Sequence, residues 1–385
     1  MESKMRLHFY IQSKEFFSEA GCTGNVIQVS SCPRNYTVFL IHNEYDFDWL
    51  YRELEKENHP LLLIDEKIKT QIITGLDYSK FATYAFAAIE QNKNIDTVLK
   101  VCDFLLENNA NRGSVLYVIG GGIVQDIGAF SAYMYKRGIP WKFVPTTLLA
   151  QSDSCVGGKT AVNYKATKNV LGLFSAPRQV FIDTAFINTI SDNDFYSGCG
   201  EIFRLCLTGG ESSIEFLEKH IDTLIQRNMQ AINECISCSL EIKKLIVTED
   251  EFELDLRRSM NYGHSIGHAI EALSNFLIPH GIAVSIGILV ENAISTKLGL
   301  LSEKEFKRLY VLGKKIIPDI IWQYFIDLKC DTILPILAND KKVEGKNLKL
   351  AVLTKIGHLE FIDVPLDSTG LRYINDAFFK VKDLW

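Results

Sequence analysis

Three stretches of this 385-residue chain combine residue types that could do chemistry. In NYGHSIGHAIEAL (261–273), His264 and His268 stand four residues apart, so on a helix both imidazoles face the same way. Two such rings can both hold Zn²⁺, or one can hold it while its neighbour handles a proton. His280, in IPHGIAV beyond a helix end, supplies a third nitrogen. A carboxylate is the expected further ligand, since catalytic zinc sites commonly mix histidines with an acid and keep one position open. In GGGIVQDIG (120–128), three glycines follow a β-branched run and open a helical one. Such a turn lets backbone amides and a helix N-terminus approach a pyrophosphate, although it is not the G-x-G-x-x-G fingerprint and, taken alone, is more often plain structure. The third stretch, VPTTLLAQSDSCVGGKTAVNYKATKNVLG (144–172), gathers Asp153, Lys159, Lys168 and Asn169 among glycine, serine and threonine. That composition suits a loop wrapped around a small polar or phosphorylated ligand. Cys235 and Cys238, three residues apart on an expected helix with no second pair, read as packing.

The elements that position these residues follow from periodicity. VFLIHN (38–43), HPLLLIDE (59–66), SVLYVIGGG (114–122), WKFVPTT (141–147) and QVFIDT (179–184) read as buried strands ending in turn-forming residues. Between them, 95–109 places apolar residues at helical spacing, so repeated strand and helix argue for a parallel α/β sheet. After Thr184 the texture becomes mainly helical, with a late hairpin expected within 348–364. The division is therefore 1–184 for an α/β domain and 185–385 for a helical one, with residues 1–25 uninformative. A composition of 47% hydrophobic and 23% charged residues excludes collagen-like and broadly disordered chains. With 41 basic against 47 acidic residues, the net charge of −6 leaves no global field for nucleic acid or an anionic membrane. An anionic substrate must be met by a local cluster of cations. Nine scattered cysteines fit a reducing compartment, and the N-terminal segment has no uninterrupted apolar region, so a cytoplasmic protein is expected.

The string RGIPWKFVPTTLLAQSDSCVGGKTAVN, then KNVLG, GEIFR, RRSMNYGHSIGHAIEAL, HGIAV and DKK, resembles the dehydroquinate synthase family of sugar phosphate cyclases from about residue 60 to 365. The resemblance implies a Rossmann-like N-terminal domain that holds NAD and a mainly α-helical C-terminal domain that holds a divalent metal, Zn²⁺ or Co²⁺. Matching positions assign the dinucleotide to Gly120, Gly121, Gly122, Asp126, Thr146 and Thr147, with Glu90, Lys93 and Asp65 upstream. Metal ligands would be Glu201, His264 and His280, leaving His268 beside the phosphate and the proton relay. Phosphate or carboxylate contacts match Asp153, Lys159, Lys168, Asn169, Lys243, Arg257, Asn261 and Lys341 or Lys342. Arg137 matches an arginine that reaches a neighbouring subunit's site, which implies a homodimer. The implied reaction turns the sugar acid 3-deoxy-arabino-heptulosonate 7-phosphate into 3-dehydroquinate and phosphate. It proceeds by transient oxidation through NAD, phosphate elimination, reduction and intramolecular aldol closure.

Arg257 and Asn261 favour an acidic substrate, because a planar guanidinium is the natural partner of a carboxylate. Three departures point toward a specialised relative. Arg204 stands in the catalytic set where the family has lysine, Ile282 where it has an acid beside His280, and Gln125 where it has glycine. The alternatives are therefore a cyclase of the aminodehydroquinate, epi-valiolone or deoxy-scyllo-inosose type, a metal-dependent polyol dehydrogenase, and a binding protein that kept the fold.

Overall fold

A computed structural model of the chain describes residues 7–18, 25–41, 47–71, 78–165, 167–338 and 343–385. Two units are formed, one by Gly24–Ser191 and the other by Asp192–Trp385 together with the described residues before Gly24. The opening hairpin, β1 (Leu7–Ile11) and β2 (Lys14–Ser18), thus joins the second unit rather than the α/β domain in which the sequence reading placed it. The reason is its buried face: Leu7, Phe9 and Ile11 are almost wholly covered, and β1 packs on the helices α5 (Asp192–Gly209) and α6 (Glu211–Ile225).

The first unit is built on a seven-stranded sheet in the order β3 (Val26–Val29), β4 (Tyr36–Ile41), β11 (Gln179–Asp183), β8 (Trp141–Pro145), β7 (Val115–Gly120), β5 (Pro60–Asp65) and β6 (Thr83–Phe86). All neighbours are parallel except β3 and β4. The central strands are unbroken apolar runs because both faces are covered. Leu62, Ile64, Tyr117 and Ile119 meet Trp49, Leu50 and Leu54 of α1 (Asp48–Glu55) on one face. On the other face α4 (Gly122–Met134) approaches so closely that a Cβ at Gly128 would stand 2.4 Å from a Val118 methyl. Only glycine permits that contact. The short helix α2 (Glu66–Gln71) follows β5, and α3 (Ile95–Glu107) starts at Asn94, whose side chain accepts from the Thr97 amide at 2.9 Å. The stretch expected to be a loop instead contains an antiparallel hairpin, β9 (Lys159–Tyr164) and β10 (Thr167–Phe174). In β9 only Thr160 and Val162 are buried, and β10 opens on the exposed run Thr167–Val170 and has no fully buried residue, so neither strand shows the apolar alternation by which strands are read.

In the second unit, α7 (Met229–Glu249), α8 (His264–Leu273), α9 (His280–Lys297), α10 (Glu303–Lys314), α11 (Asp319–Asp327), α12 (Ile333–Leu337) and α13 (Ser368–Asp383) accompany α5 and α6. The expected late hairpin is present as β13 (Asn347–Lys355) and β14 (His358–Pro365), extended by β12 (Val343–Glu344). Helix α9 is buried along nearly its whole length, and glycines let its neighbours touch its backbone. A Cβ at Gly281 would lie 1.8 Å from the Ser197 carbonyl oxygen of α5, and one at Gly287 would lie 2.2 Å from the Gly263 carbonyl oxygen that opens α8. No helix among the described residues is long and apolar enough to cross a membrane.

Candidate metal centre and dinucleotide cradle

The crossing of α5, α8 and α9 brings Glu201, His264, His268 and His280 together. Glu201 is 1% exposed, and its Oε1 makes no hydrogen bond. That oxygen lies 3.8 Å from Nε2 of His264 and 3.4 Å from Nε2 of His280. The ligand nitrogens of His264, His268 and His280 also lie within 4.8 Å of one another. A buried acceptor without a donor is costly, and with two imidazoles facing it and a third beside them it belongs to the donor set that a divalent cation takes. The residues present therefore fit a metal.

Hydrogen bonds set the tautomers. His264 Nδ1 lies 3.1 Å from the Tyr262 carbonyl, which can only accept, so Nδ1 carries the hydrogen and Nε2 keeps a lone pair. Burial holds His264 well below the ordinary imidazole range, the Glu201 charge notwithstanding. His280 Nδ1 lies 2.9 Å from the Glu271 carboxylate. Burial acts to lower this imidazole too, but the nearby carboxylates of Glu201 and Glu271 outweigh it and push His280 up to about 10. Glu271 was not singled out in the sequence, where attention fell on the acid absent at Ile282; Ile282 is wholly buried, and the orienting carboxylate comes from α8 instead. Its signal was available as an acid three residues beyond His268 on the same helix.

Arg204, one helical turn from Glu201 and 1% exposed, donates from Nε to Glu201 Oε2 at 2.6 Å. Burial raises the Glu201 carboxyl, but Arg204 and the two histidines prevail and hold it well below the usual carboxylate range. The guanidinium thus steadies the carboxylate while Oε1 stays available. The short 3-10 segment Leu256–Asn261 packs on α5 and α7, which places Arg257 and Asn261 against the helices of Glu201 and Lys243. Lys243 and Arg257 are both buried. Arg257 donates from Nη1 to the Glu251 carbonyl, and Asn261 donates to Glu253 Oε1 at 2.6 Å. Asp250, another residue the sequence reading passed over, shapes this segment by accepting the amides of Leu254, Asp255 and Arg257 at 2.7–3.0 Å. Lys341 and Lys342 lie outside the described residues.

In the α/β unit the three glycines occupy the turn from β7 into α4. A Cβ at Gly120 would strike Val124 and one at Gly121 would press on Thr147 at 3.0 Å, whereas one at Gly122 meets nothing within 4 Å. The open side at the first turn of α4 is what a pyrophosphate requires. Thr146 is buried and donates its amide to the Gly120 carbonyl, fixing the adjacent strand ends. Asp65 ends β5, where its carboxylate accepts the Lys67 amide at 3.1 Å. The structure also joins residues that the sequence assigned to two ligands. Lys93 pairs with Asp126 at 2.6 Å and donates to Asn169 Oδ1 at 2.7 Å, while Glu90 accepts from Asn163 and lies 3.9 Å from Lys168. A break in the β9–β10 ladder puts Asn169 at φ 53, where its amide donates to Asn163 Oδ1. Gln125 clasps Ser154, donating to its carbonyl at 2.7 Å and accepting its hydroxyl at 2.5 Å, and so ties α4 to the turn that carries Asp153. Lys159 and Arg137 are exposed, Arg137 at φ 64.

Residues 83–197 match the family model 3-dehydroquinate synthase N-terminal, and residues 198–343 match 3-dehydroquinate synthase C-terminal. The 3-dehydroquinate synthase of Pelagibacter ubique is 35% identical over 322 residues, 83% of this chain and 86% of that protein. That of Idiomarina loihiensis is 32% identical over 362 residues, 91% of this chain and 99% of that protein. Among solved structures, a 2-deoxy-scyllo-inosose synthase complexed with carbaglucose-6-phosphate, NAD⁺ and Co²⁺ superposes with a TM-score of 0.78 at 25% identity, covering 91% of this chain and 99% of that one.

Proposed function

The chain belongs to the 3-dehydroquinate synthase family, so its activity is that of a carbon–oxygen lyase acting on a phosphate in the shikimate pathway, and we propose how its own residues divide that work. The substrate is 3-deoxy-arabino-heptulosonate 7-phosphate and the products are 3-dehydroquinate and phosphate. NAD is held by Gly120, Gly121, Gly122, Asp126, Thr146 and Thr147, with Lys93 and Glu90 bracing Asp126 and Asn163 beside them and Asp65 toward the ribose end. Glu201, His264 and His280 hold Zn²⁺ or Co²⁺, a set supported by the unbonded Oε1 facing two imidazole nitrogens. When bound, NAD supplies reversible hydride acceptance and the metal polarises an oxygen.

The other side chains bind, orient and move protons. Arg257, whose backbone and guanidinium are already anchored, presents a planar donor edge suited to the substrate carboxylate, and Lys243 and Asn261 flank it. Lys159, Lys168, Asn169 and Asp153 serve the phosphate, with His268 as the exposed member of the histidine trio handling the proton that must leave with it. Arg204 touches the ligand Glu201 and acts as a positioning residue. The exposed Arg137 reaches a partner's site in a homodimer, and the eight described cysteines, all free thiols, accord with a cytoplasmic enzyme.

The observation that carries the substrate assignment is the 35% identity across 83% of the chain. The test is phosphate release from 3-deoxy-arabino-heptulosonate 7-phosphate with NAD⁺ and Zn²⁺, beside sedoheptulose 7-phosphate, glucose 6-phosphate and the amino analogue. Turnover of the first with dehydroquinate as product is expected. Turnover of another substrate alone would move the chain to a specialised cyclase.

A further inference from the structure

At the N-terminal ends of β4, β8 and β11, a cavity of about 460 Å³ is lined by Gln28, Arg34, Thr37, Glu57, Lys142 and Arg178 together with three further residues. It lies at the opposite strand ends from Gly120 and Thr146, about one strand length of 15 Å away, and shares no residue with the sites above. Lys142 is already committed: its Nζ pairs with Glu57 at 2.7 Å and stands over the rings of Tyr117 and Phe181. Arg34 and Arg178 are both exposed, and among the described residues neither guanidinium has an ion-paired or hydrogen-bonded partner. Burial and the charge of Arg178 both depress the Arg34 guanidinium, so the two cations feel each other across the cavity. Three cations against one carboxylate leave an excess of two positive charges, within a chain whose net charge is −6. Uncompensated like charges held this close are favourable only toward something anionic. Thr37 donates to Gln28 Oε1 at 3.0 Å, which leaves the Gln28 amide hydrogens as further donors.

We propose that this cavity binds a small dianion of the phosphate class, inorganic phosphate or a phosphate monoester, at a site separate from that of the substrate. Two guanidinium forks match tetrahedral oxyanions bidentately, and a charge of minus two neutralises the excess. This reading does not depend on which sugar phosphate is turned over.

The test is calorimetric titration of the intact protein with inorganic phosphate in low-chloride buffer, repeated with glycerol 3-phosphate and with malonate. The wild type should show a phosphate site that Arg34→Ala/Arg178→Ala lacks, and each single alanine variant should weaken that site by about tenfold or more, as expected for loss of one charge-assisted pair. The double lysine variant checks that charge matters, since it should recover part of the binding. Phosphate release from the cyclase substrate should be unchanged in the double alanine variant, so a failure here is separable from a failure of the catalytic reading. Binding of glycerol 3-phosphate at the same site identifies a monoester as the natural occupant, and binding of phosphate alone identifies the free anion. Identical phosphate isotherms for wild type and double alanine variant, or binding of malonate in preference to both phosphates, would overturn the proposal.

Discussion

Removing the Glu271 carboxylate tests how His280 is prepared for a cation. Glu271 Oε2 lies 2.9 Å from His280 Nδ1 and, with Glu201, pushes that imidazole up to about 10. At neutral pH the ring therefore carries a proton that a metal at Nε2 must displace. The sign follows from the raised value: the contact of the protonated ring stabilises the metal-free protein at neutral pH and is lost as pH rises through about 10. Three pH units between 7 and about 10 would correspond to about 4 kcal/mol of proton competition, but a side chain 35% exposed realises only part of it. Glu271→Ala then has two opposed effects. Loss of the orienting carboxylate weakens metal binding by about 10- to 100-fold, while easier loss of the proton strengthens it. For the wild type, affinity for Zn²⁺ or Co²⁺ should rise by up to about tenfold per pH unit between about pH 6.5 and 8.5, with close to one proton released per metal. The variant should release less than one proton and show a flatter profile, so its deficit widens as pH rises. Competition against a chromophoric chelator, with proton release followed in weak buffer, reads both quantities. Parallel pH profiles in the two proteins, or no proton release from the wild type, would refute the role given to Glu271.

Other substitutions probe neighbouring parts of the argument. Arg204→Met leaves the buried Glu201 with only the two histidines to compensate it and should destabilise the metal-free protein by about 1–3 kcal/mol in denaturant titrations, whereas Arg204→Lys should lose much less; equal stability of Arg204→Met and wild type would show that the pair is not what holds Glu201 ionised. Gly281→Ala places a Cβ 1.8 Å from the Ser197 oxygen, forcing α5 and α9 apart, so both melting temperature and bound metal per chain should fall; full metal occupancy in the variant would contradict the helix-contact account. At Gly122 a side chain meets nothing, so Gly122→Val should change stability by less than about 1 kcal/mol while weakening NAD binding by about tenfold or more, and unaltered NAD fluorescence titrations would remove Gly122 from the cradle.

What the sequence made legible was whatever periodicity or spacing encodes locally. Continuous apolar runs such as Leu61–Ile64 and Val115–Ile119 announced central strands because both of their faces are buried, and the spacing of His264 and His268 announced a shared helical face. The β9–β10 hairpin escaped because β9 buries only Thr160 and Val162 and β10 buries none of its residues fully, and β1 because five residues carry little periodic signal. Glu201 and His280 are 79 residues apart, and nothing in either local pattern states that Gly200 and Gly281 let their helices touch. That pairing came from the family resemblance, and the structure supplies its cause. The place of Glu271 one turn beyond His268 was readable, but its contact with His280, like the Gln125–Ser154 clasp, lay beyond both, because each depends on where one particular side chain reaches in space.

The glycine contacts along α9 also bear on the thermodynamics of metal capture. Where backbone meets backbone, no side chain can rotate to open or close the gap, so the spacing of the metal-binding side chains is inherited from the rigid packing of three helices. A cation entering such a site orders little that was not already ordered, and its affinity is not reduced by the entropy of assembling a loop. Metal loss should accordingly leave the helical core standing, with hydrogen exchange in α5, α8 and α9 nearly the same in the metal-free and metal-loaded protein.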